Sequence, residues 1–228
     1  MINQTDYLKN PTACCLDTYR KHLRTSLRRD TVVLKDEKYN EVVYRDFIDT
    51  KYIKSIHYLQ SIKMIPLNEH YFIHSVGFDE LGKVVEIFNS CYEDVKVTLE
   101  EINKHWNGED VDRDYWCFLY SKKDFILHKE TKIKDYQPIG LCIVDYNKEI
   151  GEASLFCLGI KPQYRGKGLG LSLLKEVMLR ASSTAKFMVT SYPVKNDFGL
   201  DNFFKQAGFT DETLWHYLKK NPNNESIK

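Results

Sequence analysis

The sequence predicts an α/β protein of the α+β kind, built as a mixed sheet covered by helices. Two observations carry this. From residue 69 onward, strand-like and helical runs follow one another in the order β-α-α-β-β-β-α-β-α-β, which no all-α or all-β architecture accommodates. Within that order, residues 161–174 (KPQYRGKGLGLSLL) place three glycines between a strand-like run and a leucine-rich helical run.

Each element has its own warrant. Residues 71–76 read as a strand. Asp79 opens a helix carrying Leu81, Val84, Val85, Ile87 and Phe88 at helical spacing. Thr98 caps a second helix, with Glu101 three residues on as a capping box. Residues 115–120 (YWCFLY), 139–145 and 153–160 are strands, the last two joined as a hairpin through YNKEIG. A helix runs from the glycine stretch to about Ala181. A strand at 187–191, a short helix at 200–207 and a strand at 212–218 complete the order.

The first 68 residues read differently. Asn10, Pro11 and Thr12 start a helix in which Leu16, Tyr19, Leu23 and Leu27 form one face. Arg20, Lys21, Arg24 and Arg28 lie opposite, either as a solvated face or as a surface for a phosphate-rich partner. Residues 31–35 and 41–44 read as short strands around a turn at 36–40. Residues 50–62 read as a helix ended by Ile65 and Pro66. The expected organisation is an accessory lobe at 1–68, a main domain at 69–220 and a polar tail at 221–228.

Composition narrows the function. The 228 residues carry a formal net charge of +1, so no global field draws the chain to nucleic acid or to a membrane surface. No run approaches the roughly 18 apolar residues of a membrane span, and residues 1–12 lack the apolar core of a signal peptide. The six cysteines (Cys14, Cys15, Cys91, Cys117, Cys142 and Cys157) include no CxxC pair. Three sit in apolar strand-like runs, where a thiol packs as a small hydrophobe. A reduced, cytoplasmic protein without a disulfide framework is expected. His70 and His74 share a strand face, but no cysteine or carboxylate pattern completes a metal site, so no metal is expected. Trp106, Tyr115 and Trp116 suit a core better than a cleft.

Three phosphate-binding loops compete for the glycine stretch. A GxxxxGK[ST] loop fails, because Gly166 and Lys167 are followed by Gly168 and the preceding glycine, Gly159, is too far back. A GxGxxG fingerprint starts at Gly166 but meets Leu171 where its last glycine belongs, and an antiparallel hairpin precedes it. The pattern [QR]xxGx[GA] fits twice, from Arg165 through Gly166, Lys167, Gly168 and Leu169 to Gly170, and from Gln163. Helix N-termini leave amides unpaired and carry partial positive charge. Glycines let those amides reach a pyrophosphate, with Arg165 and Lys167 adding charge.

Set between a hairpin strand and a long helix, this stretch resembles the acetyl-CoA loop of the GCN5-related N-acetyltransferase (GNAT) superfamily, over roughly residues 69–220. The resemblance implies a mixed, mostly antiparallel sheet and an acyl-CoA-dependent N-acyltransferase. Its co-substrate would be acetyl-CoA and its acceptor a small-molecule or peptide amine, with oligomeric state left open. It further implies that the amides of Leu158 and Ile160 bind pantetheine and the thioester carbonyl. Glu152, thirteen residues before Arg165, is the implied candidate for the general base.

Near the C-terminus, NFFKQAGF (residues 202–209) resembles the family's aromatic-xxx-Gly-Phe signature. Where members often carry a tyrosine that protonates the departing thiolate, this chain has Phe204, which has no proton to give. Tyr192 is a substitute acid to consider. Asn196 is the implied contact to the pantetheine arm, and Lys205 to the CoA 3′-phosphate. Phe204 keeps a second reading open: a CoA-binding sensor or interaction module without catalysis.

Overall fold

A computed structural model of the chain describes residues 2–24, 31–93, 95–127 and 134–221. Leu27, Arg28 and the tail beyond Asn221 lie outside them, as do the side chains of Leu23 and Arg24, so the expected basic face is described only at Arg20 and Lys21. In chain order the elements are α1 (Gln4–Lys9), α2 (Pro11–Cys14), α3 (Tyr19–Arg24), β1 (Thr31–Lys35), β2 (Phe47–Tyr58), β3 (Tyr71–Ser75), α4 (Leu81–Cys91), α5 (Leu99–Trp106), β4 (Val111–Leu127), β5 (Lys134–Asn147), β6 (Glu152–Ile160), α6 (Leu169–Ala181), β7 (Phe187–Pro193), α7 (Leu200–Gln206) and β8 (Thr210–Lys220). The described residues therefore form eight strands with helices between them, and the β1–β8, β2–β8, β3–β4, β4–β5 and β5–β6 pairings are antiparallel. The chain divides into two compact units, Tyr58–Met188 and the pair Met1–His57 with Val189–Lys228. No helix among the described residues is long and apolar enough to cross a membrane.

In the unit formed by the two ends of the chain, β8 is the centre. It pairs antiparallel with β1, from Thr31↔Lys219 to Lys35↔Trp215, and with β2, from Phe47↔Lys220 to Ile56↔Thr210. Two expectations fail here. Residues 50–62 do not form a helix; most of them lie in β2. Ile48, Thr50, Tyr52, Ile53 and Ile56 are β-branched or aromatic, and the ladder to β8 decides between the two periods. Residues 41–44 are a turn rather than a strand. The Asn40 side chain accepts from the amides of Val42 and Val43 at 3.0 and 3.2 Å, and both valines are left exposed.

In the unit Tyr58–Met188, β3, β4, β5 and β6 lie in the order 3-4-5-6, all antiparallel. Strand alternation sorts its side chains. Trp116, Phe118, Tyr120, Leu141, Ile143 and Cys157 pack against Val84, Ile87 and Phe88 of α4 and against Ile102 and Trp106 of α5. None of that cluster comes from α6, whose buried Leu173, Leu174, Val177 and Met178 form its own inward stripe. The capping box of α5 forms as the sequence implies: the Glu101 amide donates to Thr98 Oγ1 at 3.2 Å and Glu101 Oε2 accepts from the Thr98 amide at 2.8 Å.

Candidate functional site

The strand that feeds the glycine loop has one irregularity. β6 pairs with β5 from Asn147↔Glu152 to Gly140↔Ile160, and the register slips between Ile143 and Val144. That slip makes Phe156 the extra residue of a β-bulge. Beyond it the ladder alternates. Lys161 N–H donates to the Ile139 carbonyl at 2.9 Å, which makes Ile160 and Gly140 a non-hydrogen-bonded pair. The N–H and C=O of Ile160, and of Leu158 two residues earlier, therefore point away from β5.

Both residues meet side chains there. Tyr92, just past α4, donates its hydroxyl to the Leu158 carbonyl at 2.8 Å and accepts from the Leu158 amide at 3.1 Å. Burial pushes the Tyr92 phenol well above its ordinary range, with the neighbouring Cys157 thiol adding to the effect. The hydroxyl thus stays protonated. Arg165 Nε donates to the Ile160 carbonyl at 2.9 Å, and Arg165 Nη2 donates to the carbonyl of Cys91 at 3.2 Å. Cys91 ends α4, so the guanidinium also sits where a helix C-terminus favours a cation.

Gly159, between these two residues, is explained by α4. A Cβ there would stand 2.7 Å from Cys91 Cβ and 2.9 Å from Cys91 Sγ. The strand glycine admits the helix end, which in turn delivers Tyr92 to Leu158.

The loop itself is exposed, and Leu169 is its buried anchor. Gly166 and Gly168 have φ of +74° and +75°, and a Cβ on either would meet nothing within 4 Å. They are glycines for backbone conformation, not for space. Gly168 is the N-cap of α6, and the first bond of the helix runs from the Ser172 amide to the Gly168 carbonyl at 3.1 Å. The amides of Leu169, Gly170 and Leu171 precede that bond and lie at the positive end of a 13-residue helix. Lys167 Nζ lies 5.2 Å from the centroid of the Tyr164 ring, and Gln163 is exposed beside it.

The sequence profile of the acetyltransferase (GNAT) family matches residues 81–209. The chain belongs to that family. This GNAT protein is similar in fold to a GCN5-related N-acetyltransferase from Sphaerobacter thermophilus, with a TM-score of 0.66 and 15% identity over 89% of this chain and 64% of that one. The chain therefore spans under two thirds of that protein. A conserved protein of unknown function from Staphylococcus epidermidis gives 0.57 and 14% over 97% and 82%. A GCN5-related N-acetyltransferase from Kribbella flavida gives 0.56 and 11% over 87% and 71%. Comparison with curated proteins finds no match.

The structure distributes the remaining sequence-derived candidates. Glu152 lies at the far end of β6, fully buried, accepting from Ser154 Oγ at 3.1 Å. Six residues of strand, roughly 20 Å, separate it from Leu158. That is beyond the hydrogen-bond reach a base needs toward an amine at a carbonyl held there.

Tyr192, Asn196, Phe204 and Lys205 belong to the other unit. Tyr192 is buried, stacks on Phe204 at 4.8 Å between centroids, and donates to Glu212 Oε1 at 3.4 Å. Burial, and then Glu212, hold its phenol well above the ordinary range, the opposite of what an acid for a thiolate requires. The Asn196 amide is committed to the turn into α7. Its Nδ2 donates to the carbonyls of Pro193 and Val194 at 2.9 and 3.3 Å, and its Oδ1 accepts from Phe198 and Leu200 at 3.1 Å each. Lys205 pairs with Asp201 at 3.0 Å and with Glu212 at 3.6 Å. Among the described residues no group of three or more His, Cys, Asp or Glu is placed to hold a metal ion.

Tyr92 and Cys91 went unmarked in the sequence. The one signal was Gly159, an interruption in an otherwise apolar strand.

Proposed function

We propose that this GNAT family member transfers an acyl group, most simply acetyl, from its CoA thioester to the primary amine of a small molecule or peptide. The observation that carries the reading is the exposed turn at Gly166 and Gly168. Its two left-handed residues leave the first amides of α6 pointing outward at the helix's positive end. Several hydrogen bonds to a pyrophosphate there, each about 1.5–3 kcal/mol, suffice to hold a CoA headgroup. Leu158 and Ile160 support the rest, since their polar groups point away from β5 and suit an extended pantetheine arm and a thioester carbonyl. An amide aimed at that carbonyl stabilises the oxyanion formed as the amine attacks. Arg165 contributes by bracing the end of β6 as well as by its charge.

The test is incubation with acetyl-CoA and a panel of primary amines while free thiol is followed. Amine-dependent thiol release supports transfer. Calorimetric CoA binding with no release from any amine selects the second reading, a CoA-binding module without catalysis. Phe204 favours that reading, because it supplies no proton where family members often carry a tyrosine. Absence of CoA binding overturns both.

A further inference from the structure

Outside the glycine loop, the unit Tyr58–Met188 holds a histidine–carboxylate pair. His105 lies in the last turn of α5, and its Nε2 lies 2.6 Å from Asp145 Oδ1 on β5. Both side chains are mostly covered, with 21% and 15% exposed. Two rings fix the imidazole plane: Trp116 at 5.1 Å and Phe156 at 4.4 Å between centroids, both edge-on. With Nε2–H given to Asp145, the ring lone pair resides on Nδ1.

Phe156 ties this pair to the strand already described. It is the bulged residue of β6 and is 38% exposed, within a strand that is otherwise largely buried. Bulges re-aim side chains, often beside active sites. Two residues, roughly 7 Å, separate it from Leu158. Phe156 thus lies along β6 between the imidazole, 4.4 Å from its ring, and Leu158, two residues on.

We propose that His105 is the general base of the acyl transfer and that Asp145 positions it. Phe156 forms the apolar floor under a primary ammonium, which the Asp145 charge attracts. This rests on the transfer reading above. The ammonium RNH3+ gives one proton to His105 Nδ1, which passes it to solvent. The freed amine attacks the thioester carbon, forming C–N; the C–S bond breaks and its electron pair goes to sulfur. The second N–H proton ends on that sulfur as the free thiol of CoA.

The charged group that faces the ring is Asp145 from β5. β4 and β6 present Trp116 and Phe156, and on α5 the nearest acidic residue, one turn back, is Glu101, engaged in its capping box.

Thiol release measured against pH, alongside calorimetric CoA binding, tests the proposal. His105→Gln is expected to lower kcat by about a hundredfold or more, keep CoA affinity and the KM for acetyl-CoA within threefold, and abolish the acid limb of kcat/KM. Asp145→Asn is expected to lower kcat while CoA affinity and the KM for acetyl-CoA stay within threefold, with Asp145→Glu restoring part of the rate. If His105→Gln fails to bind CoA, the kcat loss of Asp145→Asn and its rescue by Asp145→Glu carry the test. A His105→Gln enzyme within threefold of wild type with its acid limb intact overturns the base assignment alone. Wild-type protein that binds CoA but acylates no amine overturns the transfer reading together with it.

Discussion

The Tyr92 hydroxyl caps both backbone groups of Leu158, donating to the carbonyl at 2.8 Å and accepting from the amide at 3.1 Å. On the proposed reading the thioester carbonyl takes that place, so an acyl-CoA at this amide displaces the hydroxyl. Tyr92→Phe removes the cap. The unliganded protein then carries an unsatisfied amide and carbonyl and is expected to lose about 1–3 kcal/mol. Bound acetyl-CoA replaces the amide's partner. The rise in melting temperature on adding acetyl-CoA should therefore be larger for Tyr92→Phe than for wild type, measured by differential scanning calorimetry. Equal rises would show that the ligand does not use this amide.

The loop glycines make a second, separable prediction. A Cβ at Gly166 or Gly168 meets nothing within 4 Å, so alanine there is penalised only through positive φ, by about 1–2 kcal/mol. Part of that penalty relaxes as a shift of the loop backbone, which should weaken CoA binding by roughly tenfold for each 1.4 kcal/mol lost. Asparagine tolerates the left-handed region better than alanine, so Gly168→Asn should bind CoA more tightly than Gly168→Ala. The reverse order in calorimetry would mean that side-chain bulk matters more than backbone shape.

Local features of this fold were readable in the chain; distant ones were not. Thr98 and Glu101 sit three residues apart, and their capping box forms as the spacing implies. Gly151, at φ +72°, closes the β5–β6 hairpin where the turn was expected. β2 was misread because Ile53 and Ile56 suit a helical period as well as a strand, and the strand that decides the matter, β8, lies some 160 positions on, as Ile53↔Leu214 shows. The cap on Leu158 comes from Tyr92, 66 residues earlier. Gly159 interrupts an apolar run in the sequence, but only the fold shows that Cys91 fills the space beside it.

In the unit formed by the chain ends, Lys54 acts as an internal tie. It is 1% exposed, and its ammonium shares three N–H donors among four acceptors, the carbonyls of Pro11, Cys15 and Asp17 at 3.0, 3.0 and 2.8 Å and Tyr7 Oη at 3.1 Å. One positive point on β2 thus organises residues 7–17, which offer it no carboxylate in these four contacts. Lys54→Met strands the acceptors and should cost about 3–5 kcal/mol, in the range seen when one partner of a buried charged contact is removed. Lys54→Arg should not restore stability, because a planar fork cannot reproduce a compact ammonium surrounded by four oxygens. Urea denaturation gives the energies. Limited proteolysis should cut first within residues 7–17 of the methionine variant. Wild-type resistance in that segment would mean that it is held by its other contacts, such as Trp215 Nε1 donating to the Thr12 carbonyl at 3.0 Å.

Stability should also fall on the alkaline side, for a reason held in the sheet. Burial pushes the thiols of Cys117 and Cys157 up to about 12 and that of Cys142 well above its ordinary value. An unfolded thiol titrates near 8.5. The folded state therefore keeps protons that the unfolded chain releases, and stability declines with pH wherever the folded state binds more. The contribution is complete below about pH 8.5 and is lost as pH rises toward the folded values. Tyr92 and Tyr120, both raised by burial, add to the slope above about pH 10. Under reducing conditions the urea midpoint should be level from pH 7 to 8 and drop steadily from pH 8.5 to 10.5. Cys142→Ala, which removes one buried thiol from the balance, should flatten that drop. A midpoint that stays level to pH 10.5 would mean that these thiols are open to solvent in the folded protein.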